Sequence, residues 1–248
     1  MKQPVAATSK DPTVVPRSVA VIMDGNGRWA QQAGFERIRG HERGTDAVRT
    51  TVTECARLGV QALTLYAFSE ENWARPKREV ALLMKLLQRF LVQERPTLMD
   101  NRVRLLHSGR RQRLDGKTLA LLDETIATTA KNDGMLLNLA ISYGGRQELV
   151  DAVQALARDV QAGRLRPDAI DAAAIAARLY QPTVPDPDLL IRTAGELRVS
   201  NFLLWQISYA ELWVTEKCWP EFHESDLHTA IRDFAARDRR FGGLSETP

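Results

Sequence analysis

Residues 18–29 read SVAVIMDGNGRW, and the rest of the chain is organised around this stretch. An apolar run rich in β-branched residues stops at Asp24, and a turn punctuated by glycines then leads to Arg28 and Trp29. Such a run predicts a buried strand that delivers Asp24 to the edge of a sheet. The glycines that follow allow the backbone to approach an anion closely.

Strand-like and helix-like segments alternate along the remaining chain. Further strands are predicted at residues 62–68, 103–107, 135–141, 188–192 and 212–215, and helices at 40–58, 79–93, 118–131, 147–161, 167–179, 202–207 and after a cap at Ser225. This order predicts a single α/β domain with a six-stranded, mostly parallel sheet flanked by helices. Because ligands of such sheets bind beyond the carboxyl ends of the strands, the polar residues after strands one, two and five are expected to converge.

Composition sets broad limits on function. The chain has 248 residues, and its 34 Lys and Arg against 31 Asp and Glu leave a net charge of only +3. This balance gives no argument for a nucleic-acid partner, so any anion binding must be local. The two cysteines lack metal-ligand spacing and form no disulfide framework, which fits a reducing compartment. Without a signal peptide or a membrane-spanning run, the sequence predicts a cytoplasmic protein with a disordered segment at 1–16 and one domain at 17–248.

Two groups of residues are candidates for binding phosphate. Residues 25–28, Gly-Asn-Gly-Arg, offer backbone donors and a guanidinium near a helix start. They match neither the lysine-bearing P-loop nor the dinucleotide fingerprint, and a plain turn explains them about as well. Arg192, Arg198 and Ser200 form the second group, because guanidinium forks and a hydroxyl suit phosphate oxygens. Surface salt bridging is the alternative for this group.

Carboxylates and a histidine complete the candidate site. Asp24 and Glu211 both border apolar strands, where they could share a Mg²⁺ ion or could each serve a structural role. His41 follows Arg37 at the entrance to the first long helix and could donate to a phosphate. The other three histidines have no partners at metal-ligand spacing, so packing or surface roles are expected for them.

The segment 79–93 is apolar on almost every side of the predicted helix. Such a helix is either covered on most sides as part of the core or lines an apolar cavity, and the sequence leaves both open. Two anion sites, a cation and an apolar helix together indicate a substrate with charged heads and hydrocarbon tails.

Five longer motifs resemble those of the cis-prenyltransferases, the isoprenyl transferase family. They are residues 23–30, 40–41, 64–76, 138–145 and 191–206. The resemblance extends over roughly residues 16–243 and is strongest to the bacterial undecaprenyl diphosphate synthases. The DDxxD motif of the trans-prenyltransferases is absent.

The resemblance implies an enzyme, a fold and a set of partners. The implied enzyme is a Mg²⁺-dependent prenyltransferase that condenses isopentenyl diphosphate successively onto an allylic diphosphate, with farnesyl diphosphate as the expected primer. The expected product is undecaprenyl diphosphate, the lipid carrier of bacterial cell-wall synthesis. The family also implies a hydrophobic tunnel for the growing chain, a homodimer and a peripheral contact with the membrane for product release. A shorter-chain synthase and a non-catalytic partner subunit of the same fold are the alternatives.

Site residues follow from the resemblance position by position. Asp24 matches the catalytic aspartate, which engages Mg²⁺ together with Glu211. The cradle for the allylic diphosphate matches Gly25, Asn26, Gly27, Arg28, Arg37 and His41, with Trp29 beside it. The isopentenyl diphosphate site matches Arg192, Arg198, Val199 and Ser200. A flexible loop over the reacting carbons matches Ser69, Glu70, Glu71, Asn72, Trp73 and Arg75.

Asn72 and Leu197 leave the proton acceptor and the metal ligands open. The family's usual candidate for the proton acceptor falls on Asn72, but a neutral amide is a poor base, so an orienting or relay role is expected, with a diphosphate oxygen as acceptor. Leu197 stands where the family commonly has a histidine near the metal, which puts the metal ligands beyond Asp24 and Glu211 in question. A nucleotide-dependent phosphotransferase is disfavoured, because no P-loop lysine or kinase signature is present.

Overall fold

Six parallel strands form one sheet in the computed structural model, which describes residues 14–238. The strands are β1 Ser18–Ile22, β2 Ala62–Ser69, β3 Arg104–Ser108, β4 Leu136–Tyr143, β5 Leu189–Arg192 and β6 Glu211–Val214. Their order is β3-β4-β2-β1-β5-β6, and every pairing is parallel. The sheet confirms the α/β fold predicted from the sequence.

The strand β1 lies at the centre of this sheet and is buried along its whole length. Burial on both faces explains why the strand is a continuous apolar run rather than an alternating one. In register, Val21 lies beside Leu65 of β2 and Ile191 of β5. The carboxyl ends of these three strands therefore meet at one edge, where the polar segments after each of them converge.

Eight α-helices connect the strands within the described residues. They are α1 Asn26–Gln32, α2 Arg37–Arg57, α3 Lys77–Gln93, α4 Arg95–Asp100, α5 Gly116–Thr129, α6 Gly145–Gln161, α7 Ala172–Ala176 and α8 Glu224–Ala235. The predicted helices at 40–58, 79–93, 118–131 and 147–161 are confirmed. The short helix α4 was not expected, because it carries no clear apolar period, and α1 was expected only as a helix start near residues 25–28.

Three local predictions were wrong. The alanine-rich segment 167–179 is broken into a 3₁₀ turn, Pro167–Ala169, and the short α7. The break falls at Asp171, whose side chain accepts the amide of Ala174 at 2.8 Å and so starts a new helix. Residues 202–207 form turns instead of a helix. The last helix is preceded by His223 rather than capped by Ser225, and the His223 amide donates to Asp226 at 2.9 Å.

Alternate side chains of the central strand β1 enter different cores. Val19 and Val21 join a large core, which also includes apolar residues of α2, α3, α5 and α8. Ala20 and Ile22 face the opposite way into a small core, which is closed by Tyr143 and Phe202. The two faces of the sheet are thus covered unequally, and the larger layer is the one that contains α3.

The ordered chain begins before residue 17. Val15 packs against the large core and Pro16 is buried. The predicted disordered segment 1–16 is therefore too long at its end, and residues 1–13 lie outside the described part of the chain. Among residues 14–238, no helix is long and apolar enough to cross a bilayer.

Acid is expected to destabilise this fold through His107 of β3. Burial lowers the pKa of His107 to about 4, while its Nε2–H donates to the carbonyl of Ile141 at 3.1 Å. The unfolded chain takes up that proton near pH 6.5, so the free energy of unfolding should fall as the pH drops from 6.5 to 4, by about 1.4 kcal/mol per pH unit.

Urea unfolding of the wild type and of His107→Gln at several pH values measures this effect. The amide of glutamine can still donate to the carbonyl but does not titrate. Between pH 4 and 6.5 the free energy of unfolding of the variant should therefore depend less steeply on pH, by about 1.4 kcal/mol per pH unit. Identical slopes in the two proteins would contradict the assignment.

Candidate active site

Asp24 follows β1 and is fixed to the end of β5. Its amide donates to Thr193 Oγ1 at 2.9 Å, and the Thr193 hydroxyl donates to the Asp24 carbonyl at 2.7 Å. One carboxylate oxygen accepts the amide of Gly25 at 2.7 Å and the other accepts Arg192 Nη2 at 2.9 Å. Burial acts to raise the pKa of Asp24, but Arg192, the Gly25 amide and Arg28 outweigh it and hold the pKa below its ordinary value. Asp24 is therefore ionised at neutral pH.

The turn after Asp24 requires its glycines. Gly25 adopts φ +95°, in the left-handed region, and a Cβ there would lie 2.8 Å from the Sγ of Cys218. The turn leads directly into α1, whose first amides have no acceptor within the helix. A Cβ on Gly27 would lie 2.8 Å from the Cζ of Arg37, so the absence of a side chain lets this guanidinium approach α1. Gly-Asn-Gly-Arg is thus a helix start with a cation over it, as the phosphate interpretation required.

A cavity of about 130 Å³ lies over this helix start. Its lining brings together the predicted cradle residues Gly25, Asn26, Gly27, Arg28, Arg37 and His41, together with Met23, Asp24 and Arg75. Trp29 is not part of this lining, and its ring packs near Phe35 with the centroids 6.2 Å apart. The structure therefore brings the six predicted residues to one cavity, with Trp29 outside its lining.

His41 is neutral at physiological pH. Burial lowers its pKa to about 4, and the charges of Arg75 and Arg37 act in the same direction, while Glu79 opposes them. In this state one ring nitrogen can donate and the other can accept. Approach of an anion would raise the pKa of His41, because negative charge favours the protonated ring.

Arg192, at the end of β5, is 5% exposed and connects the loop after β5 with Asp24, which follows β1. Its Nη1 donates to Ser200 Oγ at 2.9 Å and to the carbonyl of Arg198, and its Nη2 donates to Asp24. Its Nε is buried and has no hydrogen-bond partner among the described residues. Arg192 thus has a spare donor at a site that already contains a hydroxyl.

A larger cavity of about 490 Å³ adjoins Arg192 and Ser200. Arg198 and Val199 do not line it. The side chain of Arg198 is exposed and pairs with Glu196, and Val199 packs against the small core. Of the four residues predicted for this anion site, the structure brings two to the cavity.

The loop after β2 forms a 3₁₀ helix, Glu70–Ala74, with a reciprocal cap. The backbone amide of Asn72 donates to Ser69 Oγ, and the backbone amide of Ser69 donates to Asn72 Oδ1, both at 3.2 Å. Ser69, Glu71, Asn72 and Arg75 line the larger cavity. Because the side-chain oxygen Oδ1 of Asn72 already accepts the backbone amide of Ser69, the side chain offers the cavity its NH₂ group, which is a donor.

Glu70 and Trp73 anchor this loop instead of facing the cavity. Glu70 is buried and accepts Arg113 at 3.2 Å and the Ser142 hydroxyl at 3.3 Å. The indole of Trp73 donates to Ser142 Oγ at 2.9 Å, and Arg113 lies 5.0 Å over its ring. The sequence resemblance could not separate these two anchors from the four lining residues.

An apolar cavity of about 180 Å³ lies between α2, α3 and the sheet. Its lining includes Leu65, Phe68, Leu83, Met84, Leu86, Leu87, Phe90, Leu139 and Trp219. The helix 79–93 therefore lines a cavity, which decides between the two alternatives that the sequence left open. Met23, Tyr66, Asn72 and Arg75 line both this cavity and the larger one, and Met23, Asn26, His41 and Arg75 also line the cradle.

Within a single chain, Glu211 lies at the edge of the sheet opposite to the one that holds Asp24. It pairs in register with Leu189, which pairs with Val19 near the start of β1. At about 3.3 Å per residue, Glu211 is roughly 15 Å from the level of Asp24 along the strands. Its carboxylate accepts Arg237 at 2.7 Å. The expectation that Asp24 and Glu211 share one Mg²⁺ ion is wrong for a single chain.

The remaining oxygen donors at the edge fit a cation that is shared with a substrate. Asp24 is ionised and partly exposed, and Arg28 Nη2 lies 3.5 Å from its carboxylate and 3.3 Å from that of Glu196. Mg²⁺ is commonly held by one or two carboxylates while substrate phosphates and water complete the shell. Asp24 meets that requirement, and the 89% exposed Leu197 supplies no ligand.

A second group of potential ligands lies away from the edge, between α2 and α8. Glu54, Glu224 and His228 bring ligand atoms within 4.8 Å of one another. Glu54 accepts two hydrogen bonds from Arg57, at 2.8 and 2.7 Å, and a third contact from His228 at 2.5 Å. These contacts make the group an ion-pair cluster between α2 and α8.

Three residues of the site were missed by sequence reasoning. Thr193 links Asp24 to β5, and Tyr66 lines two cavities while it stacks on Phe202 at 4.3 Å. Asn201 lines the larger cavity and has φ +60°. The one available signal was Asn201 itself, because asparagine is enriched at left-handed positions.

A sequence profile of the family described as "Putative undecaprenyl diphosphate synthase" matches residues 22–242. The isoprenyl transferase of Streptococcus thermophilus (strain CNRZ 1066) is 48% identical over 234 residues, which cover 93% of this chain and 94% of the relative. That of Rhodopirellula baltica is 49% identical over 231 residues, covering 93% and 95%.

Two solved structures are similar. Lavandulyl diphosphate synthase from Lavandula x intermedia, in complex with dimethylallyl diphosphate, has a TM-score of 0.90 at 35% identity and covers 92% of this chain and 98% of its own. A probable undecaprenyl diphosphate synthase from Campylobacter jejuni has a TM-score of 0.76 at 32% identity with the same coverage. Fold and site therefore define a cis-prenyltransferase. Within that class, the chain belongs to the undecaprenyl diphosphate synthase family.

Close packing of α1 on α2 should be essential for the cradle. A Cβ on Gly40 of α2 would lie 1.8 Å from the carbonyl oxygen of Asn26, whereas a Cβ on Gly116 of α5 meets nothing within 4 Å. Alanine is intrinsically better in helices than glycine by up to about 1 kcal/mol. Gly40→Ala should nevertheless lower the free energy of unfolding by about 2 kcal/mol or more, since the backbone must move.

Urea unfolding measures this effect, and Gly116→Ala is the matched control, which should be at least as stable as the wild type. Calorimetric titration with inorganic diphosphate should also show weaker binding in Gly40→Ala alone. A Gly40→Ala protein as stable as Gly116→Ala would contradict the packing argument.

Proposed function

We propose that this prenyltransferase condenses isopentenyl diphosphate successively onto farnesyl diphosphate and releases a long-chain cis-polyprenyl diphosphate, undecaprenyl diphosphate. The observation that carries the proposal is the shared lining of three cavities. Met23 and Arg75 line the apolar cavity and both polar ones, so a diphosphate head in either polar cavity can point its carbon chain at the same place.

The cradle over α1 suits the allylic diphosphate. The helix start, Arg28, Arg37 and Arg75 stabilise negative charge where the C1–O bond breaks and its electron pair moves to the diphosphate. His41 borders both the cradle and the apolar cavity, so the tail enters the cavity directly behind the head. Burial of the tail contributes about 0.8 kcal/mol for each CH₂ group removed from water.

The larger cavity suits isopentenyl diphosphate. Arg192 and the Ser200 hydroxyl beside it line this cavity, and together they offer a guanidinium charge and a hydroxyl donor to diphosphate oxygens. The double bond of this substrate then attacks the allylic C1 and forms the new C–C bond. Holding the two substrates in adjacent cavities removes much of the entropic cost of a bimolecular step.

Loss of a proton from the condensed intermediate completes the new cis double bond. Asn72 offers the cavity a donor NH₂, so it orients a diphosphate and does not accept this proton. A diphosphate oxygen is the proposed acceptor, which agrees with the orienting role expected from the sequence.

Asp24 is the residue that would hold Mg²⁺ in a single chain. The chemistry supplied by the bound ion is charge neutralisation on diphosphate oxygens. In the structure Asp24 binds Arg192 and Arg28, and this keeps the carboxylate ionised and directed at both polar cavities.

The proposal extends to assembly and location. We propose a cytoplasmic homodimer that touches the membrane when its lipid product leaves. Exposed apolar side chains support an association surface, namely Val150, Val153, Tyr209 and Leu212. Sedimentation equilibrium tests the dimer, and a monomer at micromolar concentration would refute it.

A non-catalytic subunit is disfavoured, because Asp24, Asn72, Arg192 and Ser200 all lie at the cavities.

With Mg²⁺, the purified protein should extend farnesyl diphosphate with labelled isopentenyl diphosphate into a butanol-extractable lipid. Asp24→Asn should lower kcat by at least about 100-fold, because the group keeps its shape but loses the charge. Both variants remove the counter-charge of Arg192 and should be less stable than the wild type, Asp24→Ala more so, because the side-chain oxygen of asparagine can still accept Arg192 Nη2.

Thermal unfolding separates the two effects: Asp24→Asn should melt below the wild type and above Asp24→Ala, and kcat is compared at a temperature at which all three proteins are folded. A wild type that forms no lipid product would refute the proposed function, and a fully active Asp24→Asn would refute the role of Asp24.

Product length should respond to the volume of the apolar cavity. Ala67 lies among its lining residues, so Ala67→Leu should narrow it and shift the products to shorter chains. Chromatography against polyprenol standards measures the shift. Ala173→Leu on α7, which is exposed and outside the cavity, is the control that should leave the products unchanged. An unchanged product range in Ala67→Leu would contradict the proposed path of the tail.

A further inference from the structure

The loop after β5 contains two consecutive residues in the left-handed region. Ser200 has φ +47° and Asn201 has φ +60°, and neither is glycine. Residues with side chains avoid this region because of steric repulsion with the backbone, and they remain there only when surrounding contacts hold them. Ser200 is the residue whose hydroxyl accepts Arg192, so whatever holds this conformation also places that hydroxyl.

Asn201 makes the contacts that hold the loop. Its carbonyl oxygen accepts the amide of Gly145 at 2.6 Å, and its Oδ1 accepts the amide of Arg146 at 2.8 Å. These are the first two amides of α6, and the residue before them, Gly144, has no side chain to cap the helix. Asn201 therefore caps α6 from a distant part of the chain.

The NH₂ group of the Asn201 side chain reaches the loop after β2. Asn201 Nδ2 donates to Glu71 Oε1 at 2.8 Å and to Gln147 Oε1 at 3.1 Å. Both of its N–H donors are thus in use. Glu71 precedes Asn72 in the 3₁₀ helix, so one side chain joins the two loops that face each other across the larger cavity.

The glycines at the start of α6 leave space for this amide. A Cβ on Gly144 would lie 2.7 Å from Asn201 Nδ2 and 2.3 Å from Gln147 Oε1. Gly144 has φ −158°, an extended conformation that any residue adopts. Space for the Asn201 amide, and not backbone freedom, accounts for glycine at this position.

We propose that Asn201 is a positioning residue for isopentenyl diphosphate. It fixes Ser200, and through Ser200 the Arg192 guanidinium, relative to Glu71 and Asn72 on the other side of the cavity. This inference rests on the proposed function, because it assigns the larger cavity to isopentenyl diphosphate. Asn201 itself needs no contact with the reacting atoms.

Asn201→Asp is the variant that tests the link between the loops. An aspartate keeps an oxygen for the amides of α6, where negative charge is favourable, but it loses the donor and faces the Glu71 carboxylate. The KM for isopentenyl diphosphate should rise about tenfold or more, while the KM for farnesyl diphosphate changes less than twofold. Because the helix cap is kept, the melting temperature should stay near that of the wild type.

The double variant Glu71→Gln/Asn201→Asp should recover most of this loss, because the glutamine amide donates to the new carboxylate. Glu71→Gln alone completes the cycle. Gly144→Ala should raise the KM for isopentenyl diphosphate in the same direction as Asn201→Asp. The matched control is Asn132→Asp, which removes a donor to the carbonyl of Val103 at 2.8 Å far from the cavities and should change neither KM.

A KM for isopentenyl diphosphate within twofold of the wild type in Asn201→Asp would overturn the proposal. Equal losses in Asn201→Asp and in the double variant would overturn it as well, since the link to Glu71 would then be irrelevant. If the wild type makes no lipid product, the proposed function fails. Calorimetric titration of the same variants with inorganic diphosphate then still tests Asn201, with weaker binding in Asn201→Asp and recovery in the double variant expected.

Discussion

The ion pair between Asp24 and Arg192 is the interaction on which the rest of the site depends. It joins the ends of β1 and β5 at 2.9 Å, and both residues leave the sheet at its carboxyl edge. Arg192 is almost fully buried, and a buried cation without its counter-charge costs about 3–5 kcal/mol. The pair thus fixes the boundary between two polar cavities, and it does so with a carboxylate that is partly exposed and a guanidinium that keeps one donor free.

The position of the apolar cavity follows from the unequal layers on the sheet. The large core lies on the face of Val19 and Val21, and α3 closes that layer with apolar side chains, of which some join the core and others line the cavity, while Lys85 and Arg89 are exposed. A helix of this kind packs on α5 with one side and still has apolar side chains for the cavity. Since Tyr66 and Met23 lie where the cavity meets the edge, a carbon chain and a diphosphate can be bound by adjoining parts of one fold.

Much of this arrangement could be predicted from the sequence, and the failures have particular causes. The strands were found because buried parallel strands are short continuous apolar runs. The segment 167–179 was misassigned because alanine propensity is weak against a capping aspartate and a proline. Glu70 and Trp73 share a motif with the lining residues, and only the contacts with Ser142 and Arg113 show that they anchor the loop. Glu211 was placed with Asp24 although it precedes the predicted strand 212–215, and in a parallel sheet the start of a strand lies at the edge opposite its carboxyl end.

The sequence by itself determined the strand order along the chain, the carboxylate at the end of β1 and the glycine turn that follows it. These features are local, since hydrophobic period and glycine conformations act over a few residues. Only the tertiary structure decided that Glu211 lies at the far end of the sheet, that Arg198 turns outward, and that Asn201 joins α6 to the loop after β2. Each of these depends on strand register or on hydrogen bonds between distant segments, and such contacts leave no periodic signal in the chain.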